Sequence, residues 1–79
     1  MQMTDEDRET LMRLLEEGYG VTVGLGLETW DVTMFRNPSA ALLNKEEFRC
    51  HQSGFTGSLK SILEDFEKAF VGRGIKPGY

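Results

Sequence analysis

From Val21 to Glu28 the chain alternates strictly: Val21, Val23, Leu25 and Leu27 are apolar, and Thr22, Gly24, Gly26 and Glu28 between them are small or polar. A period of two marks a strand with one buried face, because successive side chains leave a pleated chain on opposite sides. No other segment constrains the fold as tightly. Helix-period patterns flank it on both sides, so the chain must combine a sheet with helices. The apolar odd positions are expected to face the core, and the even ones leave the other face nearly bare. Glycines that cradle a phosphate sit in a turn between a strand and a helix N-terminus. These glycines lie inside the alternating run and a second strand follows, so the stretch reads as a strand and not as a nucleotide loop.

Upstream, Thr4 and Asp7 have the spacing of an N-cap and its N3 acid, and the neighbouring carboxylates suit the positive end of a helix dipole. Leu11, Leu14 and Leu15 give the apolar stripe and Gly18 a left-handed stop, which predicts a helix over about residues 5–17. Downstream, residues 29–36 predict a second strand, with Trp30, Val32 and Met34 on one face and Asp31, Thr33 and Phe35 on the other. The hairpin should turn near Glu28 and Thr29, and Asn37-Pro38 should end the strand. Residues 39–47 read as a helical turn or as a loop with Leu42 and Leu43 tucked in. Residues 47–52 read as a third, shorter strand, with Phe48 and Cys50 on one side and Arg49 and His51 on the other, followed by a loop at 53–57. Leu59, Ile62, Leu63, Phe66 and Phe70 follow helical spacing with polar residues on the far side, capped by Thr56 or Ser58 and stopped near Gly72.

The order is therefore α-β-β-β-α. The expected fold class is α+β, in two layers: a three-stranded antiparallel sheet with both helices on one face and the other face open. A chain of 79 residues is one domain at most, read here as 1–72 with a flexible tail at 73–79. Such a domain has little room for a deep cavity, and binding on a face is easier to build. The first ten residues are polar and acidic, no run approaches the length of a membrane span, and Cys50 is the only cysteine. A reducing, cytoplasmic setting is the expectation.

Catalytic chemistry is not expected. Cys50 and His51 are adjacent in a strand and should point to opposite faces, so they make neither a metal site nor a nucleophile and its base. The carboxylates fall on exposed helix faces without the burial that raises an acid's pKa. No cofactor or metal is called for. Charge is the clearer signal. The formal net charge of −4 is already reached within residues 1–17, where six acids face Arg8 and Arg13. A phosphate backbone would be repelled there, and a basic protein surface attracted. The candidate partner-binding residues are Asp5, Glu6, Asp7, Glu9, Glu16 and Glu17 on the first helix, with Glu28, Asp31 and Phe35 on the open sheet side. The partner expected is a protein with a basic surface, without direct nucleic-acid or membrane binding; a homodimer through an exposed edge or glycine face is the other association considered.

Three resemblances accompany this reading. The α-β-β-β-α order, with the glycine-containing junction "SGFTGSLKSILEDF", is similar to double-stranded RNA-binding domains, which would imply a contact surface at Lys60, Lys68, Arg73 and Lys76. The pattern "GFTGSLKSILEDFEKAF" after strands resembles HicB-type antitoxins and would imply a small basic toxin as partner. In general character the chain looks like the small acidic single-domain proteins of phages, including anti-CRISPR inhibitors. That likeness implies a non-enzymatic protein that binds and inhibits or regulates a larger, nucleic-acid-binding protein complex.

Overall fold

The capping signal at Thr4 is realised in full. In the computed structural model, which describes residues 2–40 and 47–78, α1 runs Asp5–Glu17. The Thr4 hydroxyl accepts the Asp7 amide at 3.1 Å and the Asp7 carboxylate accepts the Thr4 amide at 3.0 Å, which is a capping box. Gly18 ends the helix in the left-handed region with φ 112°. The buried face is Asp7, Thr10 and Leu14. Leu15, expected in the core stripe, is instead 41% exposed. It follows Leu14 by one residue, about 100° around the helix, and so turns away from the sheet.

Three strands follow: β1 (Gly20–Leu25), β2 (Trp30–Phe35) and β3 (Arg49–Phe55), antiparallel in the order β1-β2-β3. Val23 lies opposite Val32, and Leu25 opposite Trp30. The connection at 26–29 is closed by the Gly26 amide donating to the Thr29 carbonyl at 2.9 Å. Two corrections to the alternation follow. Leu27 belongs to this connection and is 96% exposed, and Leu25, at the corner of the sheet, is 64% exposed. The alternation sends Leu25 to the helix side, but the helix layer reaches only Val21 and Val23 there.

β3 is longer than the sequence suggests, because Ser53, Gly54 and Phe55 belong to it. The register shifts between Trp30 and Val32: Val32 faces Gln52 and Trp30 faces Phe55. The extra residue makes a bulge, with Gly54 at φ 71°, and returns Phe55 to the inner face.

The last helix, α2 (Leu59–Gly72), is capped by Ser58, whose hydroxyl accepts the Ser61 amide at 3.1 Å. Its expected stripe is its buried stripe: Leu59, Ile62, Leu63, Phe66 and Phe70. These pack on Trp30, Val32 and Met34, with Leu14 and Tyr19 completing the core. Tyr19 and Phe48 each meet the Phe70 ring edge-on, at 5.3 and 5.0 Å. The two helices run parallel on one face: Asp7 meets Lys60 at their starts and Arg13 meets Glu67 further along.

Gly20 is required by a close approach. A Cβ there would lie 2.7 Å from the Asn37 carbonyl oxygen and 2.9 Å from the Pro38 Cα, both backbone atoms. Residues 73–78, read as a tail, are held against the fold. Ile75 packs on the core, the Gly78 amide donates to the Arg36 carbonyl at 2.8 Å, and the Asn37 side-chain amide donates to the Gly78 carbonyl at 3.3 Å. The expectation for Leu42 and Leu43 lies outside the described residues. Among the described residues no helix is long and apolar enough to cross a membrane.

Candidate functional site

The six acids of α1 divide into three groups. Asp5, Glu9 and Glu16 stand on the ridge of the helix opposite Asp7, Thr10 and Leu14; all three are exposed, and no ion pair is formed to them among the described residues. Met12, 51% exposed, sits in the same row. Glu6 and Glu17 turn towards α2. Glu6 is 3.9 Å from the Lys60 ammonium, and Glu17 accepts from Arg13 at 2.7 Å. Arg13 also forks onto Glu67 at 2.9 and 3.0 Å, clamping the two helices. These hydrogen bonds to Glu67 raise the already high Arg13 pKa, and the charges of Glu67 and Glu17 add to the effect.

Asp7 is not a surface residue: it is 2% exposed. One carboxylate oxygen accepts the Thr4 amide and the other accepts the Lys60 amide, at 2.9 Å, in the first turn of α2. Burial alone pushes the Asp7 carboxyl up. The backbone hydrogen bonds from Thr4 and Lys60, with the Thr4 hydroxyl and the Lys60 charge, outweigh it and hold the carboxyl below its ordinary value of 3.8. One buried carboxylate thus serves the positive ends of two helices.

The open sheet face is less bare than its glycines suggest. Asp31, Thr33, His51 and Ser53 meet there. Thr33 Oγ1 and His51 Nδ1 share a hydrogen bond of 2.7 Å, the Ser53 hydroxyl lies 3.2 Å from Asp31 Oδ2 and 3.3 Å from His51 Nε2, and Asp31 Oδ1 is 3.7 Å from His51 Nδ1. The four side chains form one polar cluster on the outer face. Asp31 accepts from the Ser53 hydroxyl, and Thr33 is the nearer partner of His51 Nδ1. Ser53 was missed by sequence reasoning because the bulge disguises the strand. The continuing alternation Arg49, His51, Ser53 was the available signal.

Of the other candidates on this side, Glu28 is exposed on the hairpin connection, three residues before Asp31, and Phe35 is 8% exposed. Phe35 points to the outer face as its alternation requires. It lies between Gly20 and Arg49 at the end of the sheet where the chain turns, and it offers little surface. A shallow hollow of about 300 Å³ joins it to Thr33, Arg49 and His51. Asp5, Glu9 and Glu16 therefore lie on the helix layer, Glu28, Asp31 and the little-exposed Phe35 on the outer sheet side, and Asp7 inside.

Cys50 faces α2, with its Sγ 4.0 Å from the Phe66 carbonyl, and burial pushes its thiol pKa up. Such a thiol is a poor nucleophile. His51 lies on the opposite face. Of the basic residues, Lys60 stands in the first turn of α2 beside Glu6, and Arg73 caps the other end, about 20 Å away, over the Phe48 ring at 4.4 Å; Lys68 and Lys76 are exposed. One further group is notable. The Trp30 indole N–H is buried with no hydrogen-bond partner among the described residues, and Trp30 lines a hollow of about 320 Å³ between the two helix starts, together with Gln2, Thr4, Asp7 and Ser58.

The chain matches no family model, no curated protein and no solved structure.

Proposed function

We propose that this protein acts by contact and not by catalysis, binding a larger nucleic-acid-binding protein complex and inhibiting or regulating it in the manner of anti-CRISPR inhibitors. The observation that carries the reading is the ridge of α1. Asp5, Glu9 and Glu16 are exposed carboxylates in one row, free of ion pairs among the described residues, with Met12 exposed between them. A row of carboxylates on a rigid helix competes with phosphate for a basic groove, and the field steers it there. Met12 adds an adaptable apolar contact at the centre of the row. Glu6 and Glu17, partly spent on Lys60 and Arg13, extend the negative field without being its leading edge. Glu28 and Asp31, on the other layer, serve no part of this contact.

Capture from bacterial lysate on the immobilised protein tests the proposal. The wild type should retain a basic protein complex after nuclease treatment, and the triple variant Asp5→Lys/Glu9→Lys/Glu16→Lys should lose it. These side chains are exposed, so the variant should keep the wild-type circular dichroism. Retention by the triple variant, or capture that vanishes with nuclease, overturns the reading.

A further inference from the structure

β1 is an edge of the sheet, and among the described residues its outer side has no backbone partner. Natural edges are guarded by charges, prolines or bulges. β3, the other edge, carries Arg49, His51 and the Gly54 bulge. β1 reads Gly-Val-Thr-Val-Gly-Leu and carries none of these.

The helix layer above β1 is open on the same side. α2 packs on β2 and β3, and α1 packs on β1. On α1, Asp7, Thr10 and Leu14 point to the core, while Glu6, Arg13 and Glu17 point to α2. At about 100° per residue the flank away from α2 is Leu11, Leu15 and Arg8. It overhangs the free edge. Leu15 is 41% exposed and Leu25 64%, while Leu11, Val21 and Val23 are only half-buried. One apolar strip therefore follows one open strand.

We propose that this edge pairs with the same edge of a second copy. β1 lies antiparallel to its twin about a twofold axis at Val23, which makes one six-stranded sheet with the two α1 helices side by side above it. In that register Val23 faces Val23 and Val21 faces Leu25 on the helix side, and Thr22 faces Gly24 on the outer side. Apolar meets apolar, and no charge opposes a like charge in the strands. The chain turns back at Gly18 and Tyr19. With about 1.5 Å per helix residue against about 3.3 Å per strand residue, Leu11 stands level with Val23. The helices then meet at Leu11. A foreign strand would complete the edge hydrogen bonds alone; a second copy completes the hydrogen bonds and the apolar strip by one symmetry operation. The ridge of Asp5, Glu9, Glu16 and Met12 points away from this contact, so the proposal stands or falls separately from the functional one.

Sedimentation equilibrium of the full chain over the micromolar range should give twice the 8.9 kDa chain mass. Leu15→Glu and Leu25→Asp should each raise the dissociation constant by about tenfold or more, whereas Val71→Lys, on exposed α2 surface, should not change it. The affected side chains are exposed, so circular dichroism should stay native. In a Cys50→Ser background, diamide should cross-link Val23→Cys across the axis and leave Leu25→Cys monomeric. A chain mass of 8.9 kDa at every concentration overturns the proposal. So does a dimer indifferent to Leu15→Glu and Leu25→Asp, or one that cross-links at Leu25→Cys and not at Val23→Cys.

Discussion

At the scale of single residues, Asp7 carries more of the architecture than any other polar group. Asp7→Asn keeps the shape but leaves one acceptor where two backbone amides, those of Thr4 and Lys60, now bond. A buried amide without a partner costs about 1–3 kcal/mol, which should appear in urea unfolding at pH 7. The pH dependence has a definite sign. The folded carboxyl sits below its ordinary 3.8, so its contribution is complete above that value and is lost as pH falls through the lower folded value. Between pH 7 and about 3 the wild type should therefore lose more stability than Asp7→Asn. Gly20 gives a second residue-scale prediction. Gly20→Ala drives a Cβ into the backbone of Asn37 and Pro38 and should destabilise by about 1–3 kcal/mol. Gly24→Ala meets only an ordinary contact, 3.5 Å from the Asp31 Cβ, and should be neutral or slightly stabilising in the same melts.

At the scale of elements, what was legible in the sequence was whatever repeats locally. The α2 stripe, the Thr4 cap and the Trp30-Val32-Met34 face each sit within a few residues, and all three appear as read. Periodicity says which way a side chain points, not whether anything stands there to cover it. Leu25 points to the helix side and finds no helix; Phe35 points outward and is buried all the same. A bulge breaks the period, so Ser53 and Phe55 passed for a loop, and with them went the polar cluster around His51. Asp7 was legible as a cap residue only, because the second amide it accepts comes from a helix 53 residues along the chain. The candidate site was accordingly half legible: the acids of α1 were visible, but their division into ridge, α2-facing and buried groups depends on where α2 packs.

At the scale of the whole molecule, two parallel helices are joined through three strands, and every contact between them closes a long loop. The Asp7–Lys60 hydrogen bond and the Arg13–Glu67 fork, whose partners are 54 residues apart, both enclose the entire sheet. Such contacts reward folding only after the intervening chain is ordered. The junction of the two helix starts is thus a late event on the folding path, and an early one to open. Stopped-flow measurements should find that Asp7→Asn accelerates unfolding while leaving the refolding rate nearly unchanged, a φ-value near zero. An equal slowing of refolding would place the helix pair in the nucleus instead. The single carboxylate that joins the two helices then acts as a latch: it sets how long the folded chain lasts, and hardly affects how fast the chain arrives there.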